Sequence, residues 1–298
     1  MSWLVLALLG ALCTSLTTIF AKIGIKKVNS NFATFYRTGI VVICCIVMCL
    51  VTKNIYQDIK IDLFNYLFLI ISGISTGLSW IFYYKALQLG SVNNVAPIDK
   101  SSFILTNILF LIFFFDDTTK GGNVLIIFAL IISMVLMLFG TNLMIQKNNK
   151  DNTNNKKWLI YALLSAVFAS FVSLFAKIGL KNIPSDIGTL FRTIIVFIFA
   201  GSIVFIKKDY KGVKNISKTS WIFLTISGAF TGGAWLCEFY ALNMKGVNPV
   251  AVTSISKLSI LLTMLFSFVF LKEKFVKKTL VGLCLLVIGI IITIIFSL

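Results

Sequence analysis

Phe20-Ala-Lys-Ile-Gly-Ile25 returns 155 positions later as Phe175-Ala-Lys-Ile-Gly-Leu180. At the same offset Phe35-Tyr-Arg-Thr38 returns as Leu190-Phe-Arg-Thr193. Ser72-Gly-Ile-Ser-Thr-Gly77 with Trp80 likewise returns as Ser227-Gly-Ala-Phe-Thr-Gly232 with Trp235. Near the fourth apolar segment the offset widens to 157. There Pro97-Ile-Asp-Lys-Ser-Ser102 answers Ser254-Ile-Ser-Lys-Leu-Ser259, and Leu105-Thr106 answers Leu262-Thr263. Ordered matches over this length are an internal duplication, and a duplication decides the architecture before any motif is read.

What is duplicated is a set of membrane spans. Of the 298 residues 58% are apolar and 12% charged, about half the 25% charge of a soluble domain, and the mean hydropathy is +0.98. Apolar runs of about 20 residues, the length that crosses a bilayer as a helix, predict ten spans. They fall at 2–25, 31–52, 63–87, 93–115, 122–145, 158–181, 185–207, 219–243, 247–271 and 277–297. The expected fold is an all-α membrane protein, with no length left for a soluble catalytic domain. The first span is expected to be retained, because its apolar run is longer than a signal h-region and no basic segment precedes it.

The duplication divides the chain into residues 1–146, a polar linker at 147–156 and residues 157–298, with five spans on each side. Five is odd, so the second half enters the membrane from the side opposite to the first. Such inverted-topology repeats place a substrate site near the midplane between halves and support alternating access. Gly73 and Gly77, with Gly228 and Gly232, put side-chain-free positions on one helix face, where they let helices approach closely. Trp80 and Trp235 follow three residues later, as cavity lining or as core. All six cysteines fall within spans as free thiols. The absence of histidine removes His-based triads, zinc sites and imidazole proton relays. The reading is therefore a carrier with no enzymatic activity, no metal and no cofactor, although a proton would serve as a coupling ion.

These features resemble the EamA-type transporters of the drug/metabolite transporter superfamily. The resemblance rests on Lys22-Ile-Gly24 and Lys177-Ile-Gly179, on Arg37 and Arg192 each behind an aromatic residue, and on Ile98-Asp-Lys100 and Ile255-Ser-Lys257. It covers essentially the whole chain. It implies a ten-helix basket around a central cavity that carries a small metabolite or drug by alternating access. The superfamily includes exporters of amino acids, cations and drugs, and antiporters of phosphorylated sugars. The plastid sugar-phosphate translocators are similar in using lysines on their fourth and ninth helices, where Lys100 and Lys257 stand here. Their adjacent Lys-Arg pair is absent, since Leu258 follows Lys257.

The charge has two populations. Lys and Arg number 27 against 10 Asp and Glu, a net charge of +17. Of the cations in loops and at span ends, fifteen lie on the linker side and five on the other. By the positive-inside rule this puts the 146–157 linker in the cytoplasm and both termini outside, in a multi-pass cell-membrane protein. The excess is an orientation signal beside anionic lipid, not a nucleic-acid footprint. The partners expected are the bilayer and a small-molecule substrate, with no oligomer required.

Seven cations lie within spans: Lys22, Arg37, Lys85, Lys100, Lys177, Arg192 and Lys257. Charge inside a bilayer is costly and marks function by default. Lys22, Lys177 and Lys85 lie near span ends, where a long side chain can snorkel to the interface. Arg37, Arg192, Lys100 and Lys257 lie too deep for that. They are read either as structural cations or as a cluster for an anionic substrate group. Only Asp99 and Glu238 share the interior as acids, as counter-ions or as proton carriers. Four deep cations against two acids favour a substrate bearing an anionic group. Asn94 and Pro97, with Asn248 and Pro249, interrupt the start of the fourth and ninth spans. Paired interruptions of this kind point to a transporter site, although Pro is also favoured in a first helical turn. Thr106, Thr263, Ser101 and Ser259 would add neutral hydrogen bonds. The expected function is a secondary active transporter of a small metabolite. The alternatives are a flippase or exporter of a lipid-linked or amphipathic compound, and an exporter of amino acids or drugs.

Overall fold

The computed structural model describes residues 2–25, 28–54, 62–119, 121–144, 157–272 and 277–297. The side chain of Lys100 lies outside the described residues. Among the described residues ten helical segments are long and apolar enough to cross a membrane. They are α1 (Ser2–Gly24), α2 (Ser30–Val51), α3 (Leu63–Leu89), α4 (Val92–Lys100 continued by Ser102–Phe113) and α5 (Val124–Met144). The second half supplies α6 (Lys157–Gly179), α7 (Ser185–Lys207), α8 (Lys218–Asn243), α9 (Pro249–Ser256 continued by Ser259–Leu271) and α10 (Lys277–Ser297). A helix of 22 residues is about 33 Å long, enough to cross the hydrocarbon layer. The faces turned outward are apolar: Phe128, Phe139, Val281 and Ile295 are all exposed.

The two five-helix halves are not separate lobes. The most extensive packing joins α3 to α6, α1 to α8, α5 to α10 and α2 to α7, each pair drawn from different halves. The repeat equivalence exchanges the first two pairs and maps each of the last two onto itself, as an inverted repeat about a pseudo-two-fold axis requires. Lys22 and Lys177 show the same relation. Lys22 Nζ donates to the carbonyls of Leu87 and Gly90 at the end of α3, and Lys177 Nζ donates to Leu242 O at the end of α8. Both lysines therefore cap helix C-termini, where the orphan carbonyls and the helix dipole favour a cation. The long side chains expected to reach toward the interface end on these carbonyls.

The repeated glycines pack helices. A Cβ at Gly73 would come within 2.9 Å of Ile195 Cβ on α7, and one at Gly228 within 2.8 Å of Ile40 Cβ on α2. Gly77 and Gly232 stand against Phe199 and Cys44 in the same way. The α5–α10 contact is closer still, because a Cβ at Gly140 would meet Gly282 O at 2.6 Å and Leu286 N at 2.9 Å. These neighbours are backbone and cannot rotate away. Gly140→Ala is expected to destabilise the protein by about 1–3 kcal/mol, read as a lower unfolding temperature in detergent. An unchanged temperature would mean that α5 and α10 separate freely.

Helix starts follow local chemistry. Asn29 Oδ1 caps α2 by accepting from Asn31 N, and Asn248 Oδ1 caps α9 by accepting from Val250 N, with Pro249 in the first turn. The interruptions of α4 and α9 lie later than the prolines suggest. Pro97 sits inside the first piece of α4, and the break comes at Ser101, whose N–H donates to Pro97 O and Ile98 O. In α9 it comes at Lys257 and Leu258, whose N–H groups donate to Ser254 O and Ile255 O. Both breaks are tightened turns of the i→i+3 kind. Neither is marked by glycine or proline at the turn itself.

Candidate functional site

A cavity of about 150 Å³ lies on the pseudo-two-fold axis, walled by α1, α3, α4, α6, α8 and α9. Most of its wall comes in repeat-related pairs. Thr76 and Thr231, Trp80 and Trp235, and Tyr84 and Phe239 all line it. The two tryptophan rings meet across the axis with centroids 4.7 Å apart. The departures from symmetry carry the charge. Tyr83 lines the cavity where Glu238 stands in the other half, and Asp99 lines it at the position that Ser256 holds in α9.

The three described ionic groups in the wall have different settings. Asp99 is buried and accepts a 2.6 Å hydrogen bond from Ser165 Oγ, which also lies 3.0 Å from Ser79 O. Glu238 is half-buried, and its carboxylate takes no hydrogen bond from a described residue. Lys257 enters from the break in α9, with Nζ 5.9 Å from the centre of the Phe103 ring. Around that break the buried hydroxyls of Ser254, Ser256 and Ser259 have no hydrogen-bond partner among the described residues. A chain break at this depth sets a cation beside unspent hydrogen-bonding groups, a suitable environment for a polar substrate.

Arg37 and Arg192 do not form part of this wall. They are 0% and 1% exposed and lie behind the aromatic residues. The Arg37 guanidinium stands 4.6 Å from the Tyr84 ring centre and 5.7 Å from that of Trp80, and its NH2 donates to Thr231 Oγ1 at 2.7 Å. Arg192 stands 4.1 Å from Trp235 and 4.2 Å from Phe239, and its NH1 donates to Thr76 Oγ1 at 2.9 Å. Each arginine takes its aromatic partners from one half and its threonine from the other. Guanidinium stacking on aromatic faces is favourable when both are desolvated. The result is a row of contacts across the axis, from Arg37 through Trp80 and Trp235 to Arg192.

The structure thus brings Trp80, Trp235, Asp99, Glu238 and Lys257 to one cavity and holds Arg37 and Arg192 one layer behind it. Of the neutral residues expected there, Thr106 lines the cavity, whereas Ser101, Ser259 and Thr263 do not. Sequence reading passed over Tyr83, Tyr84, Phe239, Thr76, Thr231 and the α1 threonines Thr14, Thr17 and Thr18. Thr76 and Thr231 occupy the same place in the two Ser-Gly-x-x-Thr-Gly segments, so the repeat itself held that signal.

At the two ends of the α2–α7 pair the repeat builds a second symmetric feature. On the linker face Asn31 Nδ2 donates to Asp209 Oδ2 at 2.6 Å, and Asn29 Nδ2 donates to Asp209 Oδ1 at 2.8 Å. On the opposite face Asn54 Nδ2 donates to both oxygens of Asp186 at 2.9 Å, and Thr52 Oγ1 also donates to that carboxylate. Asn31 is the repeat equivalent of Asp186, and Asn54 that of Asp209. Donor and acceptor have exchanged places between the halves, and the latch survives on both faces.

The EamA-like transporter family matches residues 1–139 and 156–295, one match in each half. A relative from Sinorhizobium sp., described as an uncharacterized transporter in the cobO 3' region, is 34% identical over 142 residues. These make up 48% of this chain and 99% of the relative. That relative is therefore about as long as one half. A protein crystal structure superposes with a TM-score of 0.68 at 14% identity, covering 98% of this chain and 97% of that one. At that identity the likeness shows the fold alone.

Proposed function

We propose that the chain, which belongs to the EamA-like transporter family, is a secondary carrier of a small zwitterionic metabolite. Family and relative are transporters, which makes this protein a multi-pass membrane transporter with a small-molecule substrate. The observation that carries the finer reading is the sharing of one aromatic cavity by Glu238 and Lys257. Lys257 receives the substrate's anionic group, Glu238 its ammonium group, and Trp80 and Trp235 the apolar body between them. The cation surplus read from the sequence depends on Arg37 and Arg192, which stand behind the aromatic layer. The described wall therefore holds two acids and one lysine, which suits a compound bearing both signs better than a polyanion. A cavity of about 150 Å³ limits the substrate to a compact molecule, since a void of that order holds benzene.

The test is a thermal-shift screen of compact anions, zwitterions and cations. Zwitterions are expected to stabilise the wild type, with Lys257→Ala losing that effect. Stabilisation by cations alone, indifferent to Lys257→Ala, would overturn the reading.

Alternating access then has its gates in the Asn–Asp latches at the two ends of α2 and α7. With Asp209 released the cavity opens to the linker face, and with Asp186 released it opens to the other. By the positive-inside rule, the excess of basic residues supports a cytoplasmic linker face. Asp209→Ala removes bonds worth about 1–3 kcal/mol after allowance for solvent, enough to shift the two populations roughly 5- to 150-fold. A single cysteine at Thr17, in a cysteine-free background, is expected to label faster from the linker face and more slowly from the other. Unchanged labelling from both faces would retire the gate.

A further inference from the structure

A cleft of about 500 Å³ opens on the linker face between the ends of α3 and α7 and the starts of α2 and α6. Lys85 and Lys207 line it together with Asn31, Ile81, Phe82 and Tyr161. Its repeat equivalent on the opposite face, about 300 Å³, is lined by Asn54, Ser185, Asp186, Tyr240 and Asn243. The two clefts differ in charge. Where the linker face has Lys85 and Lys207, the opposite face has Tyr240 and Thr52, and Asp186 lines the cleft there. Duplication supplied the shape twice, and only one copy carries cations.

Exposed apolar residues flank the cleft. Ile160 and Ile206, next in sequence to Tyr161 and Lys207, are 55% and 79% exposed, as expected of residues that face acyl chains. Phe82 and Tyr161 stack with their ring centres 6.2 Å apart, giving the cleft an apolar flank below its lysines. The nearby carboxylate of Asp209 is engaged by the amides of Asn29 and Asn31. Lys85 makes no hydrogen bond or ion pair with a described residue. Two lysines above an aromatic flank at the membrane surface have the chemistry of a phosphate-bearing headgroup site.

We infer that this cleft binds an anionic phospholipid, with Lys85 and Lys207 on the headgroup phosphate and an acyl chain along Phe82 and Tyr161. The site is separate from the transport cavity, and its test does not depend on the transported substrate. The protein is reconstituted in nanodiscs of phosphatidylcholine alone or mixed with phosphatidylglycerol, then read by native mass spectrometry and thermal unfolding. Phosphatidylglycerol is expected to raise the unfolding temperature and to persist as a bound adduct. Lys85→Gln and Lys207→Gln should each weaken its retention about fivefold, and the double variant roughly thirtyfold. Lys85→Arg should retain the lipid, and Lys245→Gln on the opposite face should leave retention unchanged. Equal retention by the double variant would overturn the proposal. So would stabilisation by free inorganic phosphate in phosphatidylcholine discs that matches the lipid's, because it would assign the lysines to a soluble anion.

Discussion

Glu238→Gln is expected to lower affinity for the zwitterionic substrate by about 2–4 kcal/mol, roughly 30- to 1000-fold, the cost of removing one partner from a buried charge pair. Glu238 is the cavity carboxylate that no described residue holds by a hydrogen bond, which leaves it to the substrate's ammonium group. Asp99→Asn is the contrast. Asp99 accepts from Ser165 Oγ, so its loss should disturb packing around α6 and leave substrate affinity little changed. Equilibrium binding of a zwitterion to the two variants is the measurement, and an affinity retained in Glu238→Gln but lost in Asp99→Asn would reverse the two roles.

The second large effect is structural. Arg192→Ala empties the space under Trp235 and Phe239 and removes the donor to Thr76 Oγ1. Arg37→Ala does the same for Trp80, Tyr84 and Thr231. Each is expected to destabilise the protein by about 3–5 kcal/mol, in the range of large-to-small core substitutions. Lysine should restore little at either site, since it keeps the charge but not the planar face that stacks while it donates. The measurement is the unfolding temperature in detergent, with substrate binding assayed on whatever folded fraction remains. If both alanine variants unfold as the wild type does and fail only in binding, the arginines touch substrate directly and do not position the tryptophans.

The architecture was readable because two independent periodicities agree. Apolar runs of bilayer length give ten helices, and the Phe20–Ile25 and Phe175–Leu180 segments fix their division into halves. The packing role of Gly73, Gly77, Gly228 and Gly232 was readable for the same reason, since a small residue repeated on one helix face has few other uses. Direction was less accessible. The depth of Arg37 and Arg192 follows from their distance to the span ends. Whether they point into the cavity or behind Trp80 and Trp235 depends on how α2 packs on α8 and α7 on α3. The breaks lie about one turn beyond Pro97 in α4 and about two turns beyond Pro249 in α9, because a tightened i→i+3 turn needs no special residue. The latches escaped notice because the halves exchange the partners: asparagine at 31 answers aspartate at 186, and asparagine at 54 answers aspartate at 209. A comparison that sought identical residues passed over both.

Binding of one amino-acid-like compound in three forms tests the assignment of Glu238 and Lys257 most directly. The forms are the zwitterion, its carboxamide, which has lost the carboxylate, and its N-acetyl derivative, which has lost the ammonium group. Each is measured against wild type, Lys257→Ala and Glu238→Gln. The wild type is expected to prefer the zwitterion, Lys257→Ala to bind zwitterion and carboxamide equally, and Glu238→Gln to bind zwitterion and N-acetyl form equally. A wild type that binds all three forms alike, or variants that keep the wild-type order of preference, would contradict it.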